Sequence, residues 1–451
     1  MKTKHGNVAA LFLAIVFAVS LLAGCGSSTS NPGDGTTAVS GADQQATSAA
    51  NSAKPTEISY TSWRVEDIDP NNQLIAEFEK DHPEVKVVFN PIKDMEYDAQ
   101  LRTKLESGTA DDVLGIRAFD IGKAIYDAGY LKPLTSDDVP EIANTSKLQL
   151  SAWTADDGTI YGLPGNWVAN GFLYNTEIFD QYGLKPPKTW DEFFKVCDTL
   201  KANGVTAIAG SSKEPWVLIE LVSANIGPNF YGGETWRKAM LEGKDDFSNA
   251  GFIEHLSTIK KMSEYFPKGY ESFGYFEAQQ YFANGQAAII PEGSWAPANI
   301  LSQNPDIKID FFQAPVKNEG DNAYVGMTPA LAYGVNKSSK NQEAIMTFLK
   351  WLASPKGAQL QNKLLPGLFC SMPDSGTLDD PLMNKWFASV GDNTSNGSIY
   401  WTYEKVQSKQ PGAGDLAGEA IIDMLNGKMT PEQAAKHIQD GLASWYGPLK
   451  K

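Results

Sequence analysis

The feature that most constrains the fold is a regular alternation of strand-like and helix-like segments at the start of the body of the chain. The strand-like runs are rich in β-branched and aromatic residues, and the helix-like segments carry apolar residues on one face. The predicted elements are strands at residues 58–63, 85–89 and 112–116, a helix capped by Asn71 or Asn72, and a helix that carries Tyr97, Leu101 and Leu105. Strands joined through helices lie parallel, so this region is predicted to form a parallel sheet with helices on its faces.

A second region of the chain shows the same alternation. Thr189 and Glu192 form a capping box at the start of a helix, and strand-like residues 205–209 follow that helix. Residues 287–290 form another apolar strand-like run, and Thr430 caps a final helix. With 451 residues, the chain is long enough for two or three domains, or for two interleaved lobes. The sequence therefore predicts an α/β protein built from two units.

The N-terminal segment has the pattern of an export signal. Lys2 and Lys4 precede an apolar run at residues 8–23, which is too short and wrongly flanked for a stable membrane-spanning helix. The run ends at Cys25 in a motif that resembles the bacterial lipobox, and a chance cysteine in a secretory leader is the alternative. We predict a signal peptide over residues 1–24 and acylation, such as palmitate, at Cys25.

A polar linker follows the predicted lipidation site. Residues 25–54 are mainly Ser, Thr, Ala, Gly, Asn and Gln, which cannot bury enough surface to fold. The protein is therefore expected to be tethered by lipid to the extracytoplasmic face of the cell membrane without spanning it. The length of the linker favours the surface of a Gram-positive cell.

Charge and cysteine content exclude several functions. The chain has 54 acidic and 38 basic residues, for a net charge of −16, so it repels nucleic acid phosphates and anionic lipids. We predict no nucleic-acid partner and a ligand that is neutral or cationic. Cys197 and Cys370 lie in apolar contexts without a CxxC or Cys/His pattern, which favours buried free thiols over a disulfide.

Catalytic and metal-binding motifs are missing from the sequence. It has no P-loop, dinucleotide fingerprint, nucleophile elbow, HExxH or EF-hand pattern. His82, His255 and His437 fall on predicted polar helix positions, where solvated side chains are more common than ligands. We therefore predict neither a metal nor a cofactor, and no enzyme activity. A glycoside hydrolase with a pair of carboxylates stays open, because no sequence spacing defines that pair.

Aromatic and charged residues follow several of the predicted strands. Open parallel sheets bind ligands beyond the carboxyl ends of their strands. An indole face packs on the C–H face of a sugar ring, and a neighbouring acid or arginine binds its hydroxyls. Each indole could equally be a core residue, and each charged residue could belong to a structural ion pair. The candidates are Trp63, Arg64, Arg117, Asp120, Glu214, Trp216 and Trp295.

Short motifs in a fixed order identify a family. The chain resembles the extracellular solute-binding lipoproteins of bacterial ABC importers, in the family-1, maltose-binding-protein-like carbohydrate group. The order and spacing of the motifs, joined to the lipobox, make this resemblance specific. The motifs include residues 78–80 and 83–87, 129–134, 161–164, 173–175, 187–192, 284–288 and 293–295.

The resemblance implies a two-lobed fold. Each lobe would be a mostly parallel sheet flanked by helices, and crossover segments would join the lobes as hinges. The implied first lobe covers residues 55–165 and 327–372, and the second covers residues 166–326 and 373–451. Closure on a ligand would then use residues from both lobes.

The resemblance also implies a ligand, a partner and a site. The ligand would be an oligosaccharide or a smaller sugar, the partner the permease subunits of the importer, and the protein a monomer. Arg117 stands where some relatives have an aromatic residue, and Trp167 is near where some have an acid, so maltodextrin is not implied. A tethered glycoside hydrolase and a receptor for a solute such as a polyamine are the alternatives. The implied ligand-binding residues are Trp63, Arg64, Arg117, Asp120, Asn166, Trp167, Glu214, Trp216, Trp295 and Trp401.

Overall fold

The computed structural model describes residues 54–376, 378–391 and 395–450. The predicted signal peptide, the lipidation site Cys25 and nearly all of the predicted linker lie outside the described residues.

The described residues form ten strands and seventeen α-helices. The strands are β1 (Thr56–Thr61), β2 (Val85–Phe89), β3 (Val113–Ile116), β4 (Leu163–Asn175), β5 (Thr206–Ile208), β6 (Ala287–Gly293), β7 (Ile309–Phe312), β8 (Val325–Val335), β9 (Phe369–Cys370) and β10 (Gly397–Ile399). The helices are α1 (Ile68–Asp81), α2 (Asp94–Glu106), α3 (Asp120–Asp127), α4 (Lys147–Ser151), α5 (Thr176–Gln181), α6 (Trp190–Ala202), α7 (Ala224–Ile226), α8 (Pro228–Tyr231), α9 (Gly233–Leu241), α10 (Ala250–Ser263), α11 (Tyr275–Ala283), α12 (Ala296–Gln303), α13 (Gln342–Ala353), α14 (Pro355–Leu364), α15 (Pro381–Ser389), α16 (Ala413–Leu425) and α17 (Pro431–Ala443).

One mixed sheet runs through the molecule in the order β2-β1-β3-β8-β4-β6-β5. Strand β1 pairs in parallel with β2 and with β3, as the alternation of strands and helices predicts. Strand β8 then pairs antiparallel with β3 and with β4, and β6 pairs antiparallel with β4. The parallel arrangement is therefore confirmed for the first three strands, and long antiparallel strands carry the sheet onward.

Strand β4 is shared by the two halves of this sheet. Its first part, Leu163 to Ala169, pairs with β8, and its second part, Asn170 to Tyr174, pairs with β6. The sequence did not predict this strand, because its proline and glycines are residues that usually end strands. Gly171 is required there, since a Cβ atom at this position would lie 2.1 Å from the Phe311 ring.

Each half of the sheet has its own hydrophobic core. In the first half, Ile58 from β1 packs with Phe78 from α1 and Phe348 from α13. In the second half, Phe172 from β4 packs in a cluster with residues of α6, α10, α16 and α17, such as Ile421. The helices therefore cover the sheet with the apolar faces that their sequence periodicity predicts.

Several local predictions are confirmed. The capping boxes at Thr189 and Thr430 are both formed, each with the glutamate or glutamine at the third helical position. Cys197 and Cys370 are both buried and free. Helix α1 begins at Ile68, before the predicted cap at Asn71 or Asn72, because Asn71 is buried inside the helix and donates to the Asp67 carbonyl at 2.9 Å.

The prediction that His255 is solvated is wrong. Its side chain is 0% exposed on α10, between Tyr231 and Phe252. Its Nδ1–H donates to the Phe252 carbonyl, so Nε2 accepts from the Ser223 hydroxyl at 3.1 Å. Burial lowers the pKa of His255 to about 4. The sequence of a helix alone does not show whether a polar residue such as His255 has a hydrogen-bond partner in the core.

Candidate ligand-binding site

Trp63, Arg64 and Arg117 form a group that we call the arginine face. Trp63 follows β1 and meets Tyr97 edge-on, with the ring centroids 5.4 Å apart. The guanidinium carbon of Arg117 lies 4.3 Å from the centre of the Trp63 ring, which is a cation–π contact. The Arg117 guanidinium also donates to Asp98 at 3.0 Å and to Asp94 at 2.7 Å. Arg117 is therefore held over the indole by two carboxylates of α2.

Arg64 is also held by neighbouring carboxylates. Its Nη2 donates to Asp67 at 3.1 Å, and its Nη1 lies 3.2 Å from Glu66. Both arginines thus form the structural ion pairs that were the alternative interpretation of these residues. Their charges are neutralised locally, and the indole of Trp63 is the uncharged surface of this face.

Asp120 begins helix α3. Its Oδ2 atom is buried and has no hydrogen-bond partner among the described residues. Burial, together with the charge of Glu404, raises the pKa of Asp120. A carboxyl group in this setting gains from a donor that approaches Oδ2.

Trp216, Tyr275 and Trp295 lie together and form a group that we call the aromatic trio. The Trp216 and Tyr275 rings are 4.8 Å apart, and Trp295 Nε1 donates to Tyr275 Oη at 2.9 Å. The Tyr275 amide donates to Glu214 Oε2 at 2.6 Å, which places this carboxylate at the start of α11. Three predicted site residues, Glu214, Trp216 and Trp295, are therefore brought together by Tyr275, which the sequence analysis did not select.

Gly293 explains why the Trp295 indole adopts this position. A Cβ atom on Gly293 would lie 2.0 Å from the Trp295 ring, so only glycine lets the indole fold back over the end of β6. This packing is the physical reason for the Gly-x-Trp spacing noted in the sequence. Tyr275 was not selected because it begins a helix, whereas the candidates were chosen at positions that follow predicted strands.

Glu292 lies behind the aromatic trio and is 1% exposed. Its carboxylate accepts from Gln279 Nε2 at 2.9 Å and from the Tyr275 hydroxyl at 3.3 Å. Burial raises the pKa of Glu292 to about 8, and these hydrogen bonds act in the opposite direction. Glu292 was not among the candidate residues selected from the sequence.

Arg64 of the arginine face acts electrostatically on Tyr275 of the aromatic trio. Burial holds the pKa of Tyr275 well above its ordinary value, Glu292 adds to the effect, and Arg64 opposes it. Arg64 comes from the turn after β1, and Tyr275 comes from the start of α11. The charge of Arg64 therefore acts on a residue that is distant in sequence.

A second contact joins the start of α3 to the segment that follows β10. The Phe119 and Tyr403 rings stack with their centroids 5.9 Å apart, and the Tyr403 hydroxyl donates to Glu220 at 3.0 Å. Phe119 has a backbone φ of 59°, which residues other than glycine rarely adopt. Such strained conformations are concentrated at functional sites. Burial raises the pKa of Glu220 to about 7. Asp120 directly follows Phe119, and the charge of Glu404, next to Tyr403, acts on it.

Trp401 lies in a different environment from the other indoles. It is 3% exposed, and its ring is 4.9 Å from Phe247 and 5.6 Å from Phe252 in the core of the second half. We therefore remove Trp401 from the candidate site, because its surface is used in packing. Tyr403, two residues further along, is the aromatic residue of this segment that meets the α3 side.

Asn166 and Trp167 are neighbours on β4 with different surroundings. Trp167 is 3% exposed, and its ring lies 4.6 Å from Phe369 and 5.6 Å from Phe387. Its indole is a packing residue, like Trp401. Asn166 is 4% exposed, and its Oδ1 has no hydrogen-bond partner among the described residues. Asn166 is thus kept as a candidate and Trp167 is removed.

Metal binding and membrane spanning are two further possibilities for the described residues. No group of three or more His, Cys, Asp or Glu side chains in this part of the chain is placed to hold a metal ion. Among the same residues, no helix is long and apolar enough to cross a membrane.

The two-halved sheet, with a separate core in each half and charged and aromatic groups that meet between distant segments, is the architecture of a two-lobed binding protein. The chain belongs to the bacterial extracellular solute-binding proteins, whose family model matches residues 69–359. The predicted family and the predicted two-lobed α/β fold are both confirmed.

Individual relatives show how far the similarity extends. The chain is 25% identical over 295 residues to a multiple sugar-binding protein of Streptococcus mutans, which covers 64% of this chain and 68% of that protein. It is 24% identical over 404 residues to the sn-glycerol-3-phosphate-binding periplasmic protein UgpB of Escherichia coli, covering 80% and 86%. A solved structure of the solute-binding protein RafE in complex with raffinose matches with a TM-score of 0.70 and 20% identity, covering 88% of this chain and 100% of that one.

Proposed function

We propose that this solute-binding protein captures a neutral sugar outside the cell and delivers it to the permease subunits of an ABC importer. The observation that carries the proposal is the aromatic trio of Trp216, Tyr275 and Trp295, in which the Trp295 indole donates to the Tyr275 hydroxyl and the Trp216 ring packs on Tyr275. Flat aromatic faces pack on the C–H faces of sugar rings, and polar groups at their edges select the hydroxyls.

Two buried oxygen atoms support a ligand rich in hydroxyl groups. Asp120 Oδ2 and Asn166 Oδ1 both have no partner among the described residues. A buried acceptor without a donor costs about 1 to 3 kcal/mol, and a sugar hydroxyl is a donor of the right kind. We therefore place sugar hydroxyls at these two atoms.

The charges at the site favour a neutral ligand over a phosphorylated one. Arg64 and Arg117 are the cations of the arginine face, and each is paired with two carboxylates. The net charge of −16 adds a long-range repulsion for anions. A sugar is thus a better match to this chain than glycerol phosphate, the ligand in the name of the UgpB relative.

A thermal-shift panel tests the proposal. The panel contains raffinose, chitin oligosaccharides, sn-glycerol 3-phosphate and spermidine, because these represent neutral, anionic and cationic solutes. A ligand at one hundred times its Kd stabilises the folded state by about 2.7 kcal/mol, which raises the melting temperature measurably. We expect a shift with a neutral sugar. A shift only with the phosphate or with spermidine would overturn the proposal.

A glycoside hydrolase needs a general acid that can contact the substrate and a second carboxylate. Glu220 and Glu292 have the raised pKa values of general acids. Glu292, however, is enclosed by Tyr275 and Gln279, and Glu220 is bonded to Tyr403. We propose that the protein has no catalytic activity, and chromatography of oligosaccharides after long incubation should show unchanged chain lengths.

Sugar capture should close the two lobes on each other. We propose the lobe boundaries of the family, with residues 55–165 and 327–372 in one lobe and residues 166–326 and 373–451 in the other. The clusters around Phe78 and Phe172 each stay within one proposed lobe and support this division, and a third cluster, which includes Met327 and Phe282, joins the lobes. Small-angle X-ray scattering should then give a smaller radius of gyration with saturating sugar than without it.

We also propose that the protein is a monomer tethered by acylated Cys25 to the outer face of the membrane of a Gram-positive cell. The export signal and the polar linker in the sequence support this location. Cys25→Ala should release the protein from the membrane fraction and abolish labelling by radioactive palmitate. Light scattering of the body without its leader should give the mass of one chain.

A further inference from the structure

A chain of hydrogen bonds runs from the surface of the candidate site into the protein. Trp295 Nε1–H donates to Tyr275 Oη at 2.9 Å, and Tyr275 Oη lies 3.3 Å from Glu292 Oε2. Gln279 Nε2 donates to Glu292 Oε1 at 2.9 Å, and Gln279 Oε1 accepts from Asn299. Glu292 and Gln279 are buried, whereas Asn299 at the far end of the chain is half-buried. On the side of the candidate site, the state of Glu292 is transmitted through Tyr275.

The number of hydrogen atoms limits what Tyr275 can do. Its hydroxyl has one hydrogen and already accepts the hydrogen of Trp295 Nε1. When Glu292 is ionised, the hydroxyl hydrogen points to Glu292 Oε2. When Glu292 carries a proton on Oε2, that proton can be donated to Tyr275 Oη, and the hydroxyl hydrogen is then free to turn toward a ligand.

The other neighbours of Glu292 strengthen this reasoning. The Gln279 amide group and the Gly293 backbone N–H are both donors to the carboxylate. A protonated Glu292 therefore finds its acceptor in Tyr275 Oη. The two protonation states of Glu292 correspond to two directions of one hydrogen bond.

We propose that Glu292 is a positioning residue that determines, through Tyr275, whether the aromatic trio presents a hydroxyl hydrogen to a bound sugar. Glu292 does not touch the sugar in this proposal, and the proposal rests on the proposed function of sugar capture. The protonated state of Glu292 would be the state that binds sugar more tightly, since it adds one hydrogen bond from Tyr275.

Burial of this pair places the change between pH 7 and pH 9. Burial raises the pKa of Glu292 to about 8. Tyr275 and Gln279 face it from α11, and the Gly293 backbone faces it from β6. The charged groups next to Tyr275 are Arg64, from the turn after β1, and Glu214, which accepts from the Tyr275 amide. Glu292 is then mostly protonated at pH 7 and ionised at pH 9.

The experiment combines calorimetry with nuclear magnetic resonance on the body of the protein. Raffinose affinity is measured between pH 6 and pH 9.5 for the wild type, for Glu292→Gln and for the control Glu277→Gln, an exposed acid on α11, the helix that begins at Tyr275. The wild type should lose about fivefold in affinity at high pH, the equivalent of one net hydrogen bond. Glu292→Gln, whose amide nitrogen can donate to Tyr275 Oη but gives up the bond from the Gly293 N–H, should show no change of affinity with pH, and Glu277→Gln should follow the wild type.

The resonance arm needs no sugar. The indole N–H signal of Trp295, assigned with Trp295→Phe, should move with a midpoint near pH 8 in the wild type and stay constant in Glu292→Gln. A Trp295 signal that does not move, or moves equally in Glu292→Gln, would overturn the positioning role even if raffinose binds. A moving signal without binding of any sugar of the panel would overturn the proposed function and keep the link from Glu292 to Trp295.

Discussion

Trp295 and Trp401 both follow short strands, yet they lie in two different kinds of aromatic group. Trp401 packs between Phe247 and Phe252 in a core and is 3% exposed. Trp295 is half-buried, and its indole N–H is bonded to Tyr275. A position after a strand therefore does not define a binding site. The neighbouring side chains decide, because the phenyl rings of Phe247 and Phe252 cover the Trp401 indole, whereas the Tyr275 hydroxyl orients the Trp295 indole.

The titratable residues next to the two aromatic groups respond to burial with opposite signs. Burial lowers the pKa of His255, which touches Phe252, to about 4. Burial also raises the pKa of Glu292, which touches Tyr275, to about 8. In both places burial disfavours the charged form. His255 in the core therefore becomes charged as the pH falls, and Glu292 at the site becomes charged as the pH rises.

The largest expected effect belongs to the core group. Trp401→Ala should lower the free energy of unfolding by about 3 to 5 kcal/mol, because it removes a large buried side chain and leaves a cavity beside Phe247 and Phe252. Urea unfolding followed by circular dichroism measures this loss. Trp445→Ala is the matched control, since that indole is half-buried near the C-terminus and should cost much less.

A conservative change at Trp401 tests whether this residue takes part in sugar binding. Trp401→Phe keeps most of the packing, and it should leave raffinose affinity unchanged in calorimetry. A loss of affinity as large as that of a Trp295 variant would contradict the division between a core group and a site group.

The next effect concerns the pH dependence of the core. The unfolded chain binds a proton on His255 below about pH 6.5, whereas the folded chain does so only near pH 4. Neutral, buried His255 therefore makes its full contribution to the free energy of unfolding above pH 6.5, and this contribution is lost as the pH falls through 4. Between pH 7 and pH 4, this residue should account for a loss of roughly 2 to 3 kcal/mol.

Urea unfolding at several pH values isolates that contribution. The pH profile of His255→Gln should be flatter than that of the wild type by this amount. His82→Gln, at the end of α1 and half-buried, should reproduce the wild-type profile. An equally steep profile for His255→Gln would show that the acid sensitivity comes from other groups.

Much of the fold follows from local sequence patterns. The capping boxes at Thr189 and Thr430 and the parallel strands β1, β2 and β3 needed only neighbouring residues to be predicted. Strand β4 could not be predicted in this way. Its Gly171 reads as a strand breaker, and the Phe311 ring that requires a glycine there comes from 140 residues further along the chain.

The site was predictable in composition and less so in detail. Glu214, Trp216 and Trp295 were selected from the sequence and lie together, but Tyr275, the residue that joins them, was not. Trp401 was selected in place of its neighbour Tyr403. Long-range contacts decide these cases, since a strand end shows where a side chain begins and not what it meets.

A smaller effect is expected at the aromatic trio. Trp295→Ala should weaken sugar binding by about 1 to 3 kcal/mol, if stacking on this indole is comparable to base stacking on aromatic side chains. Raffinose calorimetry measures the loss, and unfolding should change far less than in Trp401→Ala, because Trp295 is half-buried. Unchanged affinity would remove Trp295 from the site and leave Trp63 and Trp216 as the remaining indoles.

The smallest expected effect concerns the arginine face. It tests whether Trp63 and Arg117 bind the ligand or serve only in packing. Arg117 lies over the Trp63 ring and is bonded to Asp94 and Asp98. Arg117→Lys keeps the charge but loses the flat guanidinium, so the free energy of unfolding should fall by about 0.5 to 1 kcal/mol. Arg102→Lys, on the exposed side of α2, is the control and should change little. If Arg117→Lys also weakens raffinose binding severalfold, Trp63 is positioned for the ligand by its arginine, much as Trp295 is by Tyr275. If affinity stays constant while stability falls, Trp63 and Arg117 belong with Trp401 among the packing residues, and the aromatic trio alone carries the sugar contact.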